Sequence, residues 1–251
     1  MIIGCIMVAI LSILWFNKAF GDYIPYIGVR VEDSSPMACI FEPANKKINF
    51  TSRDLLNTTK QSIQDWEDRL ENKTDGNWHI ETKYFAYLEH RDKEAEDYPQ
   101  CNIYIVYNQT FSGKYAGALG ITSYDYSHSK HKYSFIQVTT SVNDLSIKLS
   151  PLTKNNNITI SVTSLTSRQL DSRIIGQVIK HEFGHALGLD HYIATKGGII
   201  RPDLMKTTMN ERIFVPSFDI TDNDLDAIIH LYGKDGFGGR QPIIPRNHFI
   251  G

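Results

Sequence analysis

Residues 181–191 read HEFGHALGLDH, and this stretch limits what the chain can fold into more than any other. Three histidines are spaced by four and then by six residues, with a glutamate directly after the first. A surface helix has no reason to gather three imidazoles, and a core helix has reason to avoid them. On a helix, positions four apart lie roughly 40° apart in angle and about 6 Å along the axis. His181 and His185 therefore project side by side, as two ligands of one small cation must. Glu182 sits one position on, close enough to reach a water on the metal without being a ligand itself. An unbroken helix would carry His191 to the opposite face, roughly 240° from His185. Something must break it, and Gly188 is the residue that adopts a left-handed conformation cheaply. The turn swings His191 back as a third ligand, and three neutral imidazoles with an open fourth position describe a catalytic zinc. Surface histidines or a structural zinc site are the plainer readings. A bare HExxH arises by chance; the xxGxxH extension on a capped helix after a run of strands is far more specific.

The rest of the chain supplies such a scaffold. YIGVRVED (Tyr26 to Asp33) alternates apolar and polar residues, as a half-buried strand does. Thr51 offers an N-cap, after which Leu55, Leu56, Ile63, Trp66 and Leu70 fall at helical spacing. WHIETKYFAYLEH from Trp78 alternates again, and CNIYIVYN (Cys101 to Asn108) reads as an interior strand. YSFIQVTTS and ITISVTSL read as two further strands. Between strands three and four lies a long loop, QTFSGKYAGALGITSYDYSHSKHK, and loops of that length are usually functional. Thr166 with Gln169 forms a capping-box pattern ahead of a helix whose buried side is Leu170, Ile174, Val178 and Phe183. Thr221 caps a last helix that stops at Gly233. The order β-α-β-β-β-α-loop-α predicts an α/β (α+β) fold: one twisted, mixed five-stranded sheet with two long helices on one side.

A length of 251 residues with 41% hydrophobic content is enough to bury a core for one catalytic-sized domain. A formal charge of -2 gives no electrostatic reason to expect nucleic acid. Ile2 to Phe16 is almost entirely apolar and is followed by Ala19-Phe20-Gly21, which reads as a secretory signal over 1–21. An uncleaved anchor is the alternative, although a span needs roughly 17–25 residues; only then would a membrane be a partner. Sequons begin at Asn49, Asn57, Asn72, Asn108 and Asn157, in keeping with a secreted, extracellular surface. Removal of the signal takes Cys5 with it and leaves Cys39 and Cys101, either a disulfide or two buried thiols.

HEFGHALGLDH matches the metzincin signature H-E-x-x-H-x-x-G-x-x-H, and the chain resembles a matrixin-type metalloprotease domain. The closing TDNDLDAIIHLYG resembles the matrixin C-terminal helix, and the helix bearing Trp66 is similar to the family's first helix. The resemblance implies a domain over 22–233, followed by a Gly- and Pro-containing tail over 234–251. It also implies a Met-turn beneath the zinc. DLMKTTMN offers Met205 and Met209, and Leu204-Met205 better resembles the family's pattern, so Met205 is expected there. Calcium is implied by the family, but the long loop lacks its structural-zinc and calcium pattern and no ligands are identifiable. Asp125, His128 and His131 are a candidate second metal site, with plain solvation the more ordinary reading. Residues 22–25 leave no room for a pro-segment, no cysteine-switch motif precedes the domain, and the spacer to the Met-turn is long for a matrixin.

The implied activity is that of a zinc metalloendopeptidase acting on protein or peptide substrates. One Zn2+ would be held by His181, His185 and His191, with Glu182 as general base. Substrate would lie extended along an edge strand expected at Ser134 to Thr140, by strand addition, and residues from Lys206 through Phe218 would wall the pocket. A secreted zinc-binding or adhesion module without turnover, and a zinc hydrolase of a non-peptide bond, are the competing classes.

Overall fold

The computed structural model describes residues 27, 30–43, 52–86, 97–108, 111–127, 130–150, 159–192, 206–210 and 218–239. Strand β1 (Met37–Phe41) leads into helix α1 (Ser52–Lys73), then β2 (Glu81–Phe85) and β3 (Ile103–Asn108). A short helical turn at Gly113–Tyr115 precedes β4 (Gly120–Ser127) and β5 (Lys130–Thr139). Then come β6 (Ser141–Ser150), β7 (Thr159–Gln169), helix α2 (Ser172–Ala186) and helix α3 (Asp222–Tyr232).

Five strands form one mixed sheet in the order β2-β1-β3-β5-β4, with only β4 antiparallel to its neighbour. The central strands are buried on both faces, which is why they read as apolar runs. Ala38, Ile40, Ile103, Ile105, Ile136 and Val138 meet α1 and α2 through Ile63, Trp66, Val178, Ile179 and Phe183. The alternate positions Cys39, Phe41, Tyr104 and Phe135 point to the other face and build an aromatic layer there. In that layer Phe41 stacks on Phe85 at 5.4 Å and lies 6.0 Å from Tyr104. Cys39 in β1 and Cys101, just before the neighbouring β3, are joined by a disulfide with their Cα atoms 5.8 Å apart. Helices α1 and α2 approach closely at Gly176, where a Cβ would stand 3.2 Å from Thr58 Cγ2. There Ser62 donates to Gly176 O, and Trp66 Nε1 donates to Lys180 O at 3.1 Å.

The mixed five-stranded sheet with two long helices and a C-terminal helix is the expected architecture, but its membership differs. Among the described residues of Tyr26 to Asp33 no strand forms; the first strand is Met37–Phe41, a five-residue run buried on both faces that alternation could not signal. The fifth strand of the sheet is Gly120–Ser127, which falls within the stretch expected to be a long loop. From Thr159 onward the stretch ITISVTSL belongs to β7, which pairs with β6 in a separate two-stranded ladder. Thr166 is therefore a strand residue, and the cap of α2 is Asp171, whose side chain accepts from Ile174 N. Residues 1–26, which hold the expected signal or anchor, lie outside the described residues. Among the described residues no helix is long and apolar enough to cross a membrane.

Candidate active site

Helix α2 ends at Ala186, and Leu189 N–H returns to Gly184 O while Gly188 N–H returns to His185 O. This pair of bonds is a Schellman closure, and it requires Gly188 at positive φ, here 106°. The expected break thus occurs at Gly188, and the chain doubles back. The three Nε2 atoms of His181, His185 and His191 come to lie 3.1 Å from one another in every pair. Among the described residues they are the one cluster whose ligand atoms could share an ion.

Each helical histidine is oriented from behind by a carbonyl. His181 Nδ1 lies 2.6 Å from Thr208 O, and His185 Nδ1 lies 2.8 Å from Leu189 O. A carbonyl only accepts, so each Nδ1 carries the proton and each Nε2 presents its lone pair to the common centre. Burial lowers the pKa of His181 well below the usual histidine range, with His185 adding to the effect and the Thr208 bond opposing it. Burial, then His191, lowers His185 to about 4, against the pull of Leu189 and Asp190. Three neutral imidazoles facing one another are a cation's donor set. Tetrahedral zinc with bonds of roughly 2.0–2.1 Å would set ligand nitrogens about 3.3–3.4 Å apart, so the 3.1 Å triangle needs only a small opening to fit it.

The floor of the site is a turn at 206–210. Met209 is fully buried, and its sulfur lies so close to Gly184 that a Cβ there would stand 2.3 Å from it. Its carbonyl accepts from Tyr192 N–H at 2.8 Å, one residue past the last histidine. Thr207 ties the turn to α3 through a short hydrogen bond to Asp224, whose other oxygen accepts from Thr221 N–H at 2.7 Å. At the far end Tyr232 hydroxyl accepts from Val31 N–H and donates to Leu187 O, anchoring the end of α2. Past the helix stop, residues 234–239 fold back on the domain, with Phe237 buried 5.4 Å from Trp78. Among the described residues Met209 is the methionine packed against Gly184, one position before His185 on α2. Met205, expected there from the family resemblance, lies outside the described residues.

Glu182 is buried between α2 and the sheet. Burial raises its pKa to about 7, partly offset by the hydroxyl and amide of Thr122. A cleft of about 510 Å³ opens over Glu182 and the histidines, with Ile27, Tyr115, Leu119, Ile121 and Tyr124 on its walls. The strand beside this cleft is β4. The expected edge at Ser134 to Thr140 is instead interior: β5 is paired on one side with β3 and on the other with β4. The reason is that Gly120–Ser127 adds a strand outside it, so among the described residues β4 takes the end position in the sheet. Of the candidate second metal site, Asp125 is in β4, while His128 lies outside the described residues. The expected pocket wall past Asn210, residues 211–217, also lies outside them.

A sheet-backed helix carrying two histidines, a third returned by a glycine turn, and a buried glutamate between them make a site that could hold a metal ion, in the arrangement of a metzincin. The Matrixin family model matches residues 41–233, and the chain belongs to that family. No curated protein matches it closely enough to count as a relative. The family makes it a zinc metallopeptidase acting on proteins or peptides.

Proposed function

We propose that the chain is a secreted zinc endopeptidase in which Glu182 is the general base, and the observation that carries this is the buried Glu182 beside the three converging imidazoles. His181, His185 and His191 would hold the ion, and Met209 would be the methionine of the Met-turn. Zinc, when bound, supplies Lewis acidity that polarises a scissile carbonyl and brings the pKa of water toward about 7. The remaining work falls to the chain. Glu182 takes a proton from the attacking water at its carboxylate and returns it to the nitrogen of the departing amine. Burial strengthens the hold of its carboxylate on a proton relative to one in bulk water, which suits the role of base. β4, the end strand of the sheet among the described residues, would receive an extended peptide as a further strand, with its scissile bond over the cleft.

Export is supported by the apolar N-terminal run, by the Cys39–Cys101 bridge, which persists in oxidising compartments, and by exposed sequon asparagines at Asn57 and Asn72. The direct test is cleavage of a random peptide mixture by the purified protein, read by mass spectrometry. Internal cleavage that stops with a zinc chelator and returns with added zinc is expected. A zinc-loaded protein that cleaves nothing, or cleavage indifferent to the chelator, would overturn the proposal.

A further inference from the structure

The edge strand does more than offer its backbone to a substrate. Gly120, Thr122 and Tyr124 alternate along β4 and so share the face turned to α2. Tyr124 hydroxyl donates to His185 O at 3.2 Å. Thr122 Oγ1 lies 2.7 Å from Glu182 Oε2 and 3.0 Å from Glu182 O. A hydroxyl has one proton to give, and the carboxylate is the stronger acceptor, so that proton goes to Oε2. At Gly120 an added Cβ would stand 2.4 Å from Glu182 Oε1 and 2.5 Å from its Cγ. One strand therefore touches both carboxylate oxygens, holding one by a hydrogen bond and fitting closely around the other.

We infer that Thr122, with the gap left by Gly120, is the positioning element of the general base. A glutamate side chain has three rotatable bonds. The Thr122 hydroxyl selects one orientation out of that freedom before substrate arrives. Because Thr122 sits on the strand along which the peptide would lie, base and substrate are referred to the same element. The inference rests on the reading of Glu182 as base.

Its test is steady-state cleavage of one peptide by Thr122→Val, which keeps the branched shape and removes the hydroxyl. Loss of orientation at a reacting group is worth on the order of 10–100-fold. The expected result is a fall of that size in kcat with KM nearly unchanged and zinc content intact. Thr122→Ser, which restores the hydroxyl, should recover most of the loss. In a Glu182→Ala background Thr122→Val should cost nothing further, since it acts through the missing group. Gly120→Ala is the independent arm: its methyl displaces a flexible carboxylate rather than backbone, so folding survives and kcat falls. Wild-type kcat in Thr122→Val, an equal loss in Thr122→Ser, or an undiminished loss in the Glu182→Ala background would each overturn the positioning role. A wild-type protein that binds zinc and cleaves no peptide would instead remove the peptidase reading, and this one with it.

Discussion

Gly184→Ala sets two local effects against each other, and their sizes decide the outcome. In an exposed helix the change should stabilise by about 0.8–1 kcal/mol, because alanine loses less backbone freedom than glycine. Gly184 is not exposed. Its added Cβ would stand 2.3 Å from Met209 Sδ and 3.2 Å from Trp66 Cζ2, whereas unstrained contacts lie at about 3.5–4.0 Å. Met209 would have to retreat by more than 1 Å, and the turn bearing it has nowhere to go. The carbonyl before it holds His181, and its own carbonyl holds Tyr192. Overpacking of this kind costs roughly 1–3 kcal/mol, so the net effect should be destabilisation of up to about 2 kcal/mol, together with weaker zinc binding. Urea unfolding of the zinc-free protein at constant slope, alongside a zinc titration, reads both. With Met209→Ala as background the clash is gone, and Gly184→Ala should then be neutral or stabilising. Stabilisation by Gly184→Ala in the otherwise native protein would refute the packing argument.

Three further outcomes follow from particular contacts. Gly188→Ala should cost about 1–2 kcal/mol, because the left-handed backbone at φ 106° admits a Cβ only with strain; it should also misplace His191, measurable as a raised zinc Kd. Asp224 has its pKa raised from 3.8 to about 6, first by burial, with the Thr207 and Thr221 bonds opposing. A carboxyl raised on folding binds its proton more tightly in the native state, so its contribution is fully present below pH 3.8 and is lost as pH rises through about 6. The stability difference between wild type and Asp224→Asn should therefore change by an amount of order 1–3 kcal/mol across that window and level off above it, read by denaturant unfolding at a series of pH values. The Cys39–Cys101 bridge closes a 62-residue separation, so its reduction should cost up to about 4 kcal/mol. Unfolding with and without reductant checks the energy, and thiol titration of the denatured, unreduced chain should find neither cysteine.

The site was legible where chemistry needs fixed spacing. Two histidines four apart, a glutamate between them and a glycine before the third histidine are demands of a helix and its exit. They read the same with or without coordinates. The helix around Trp66 was legible because its apolar residues keep a period, and the strands within CNIYIVYN and YSFIQVTTS because they are rich in β-branched and aromatic residues. Legibility failed where partners decide. MACIF is an interior strand with no alternation to reveal it, while YIGVRVED alternates without pairing among its described residues. GITSYDYS does carry period two, with β-branched and aromatic residues, but its setting among glycines and polar residues hid it in a loop. Missing that strand misplaced the sheet edge by one strand and concealed Thr122. The packing of Met209 against Gly184 is likewise a contact that no spacing rule contains.

The central claim is that Glu182 does chemistry and the histidines do not need it to hold zinc. Glu182→Ala should keep one zinc per chain and keep its fold, since alanine suits a helix at least as well as glutamate. His185→Ala should lose the ion. The measurement is kcat/KM on a common peptide for wild type and Glu182→Ala, with zinc content determined on the same samples. A fall of at least about 10²–10⁴-fold at unchanged zinc is the result this account requires. Equal turnover by the two proteins would contradict it.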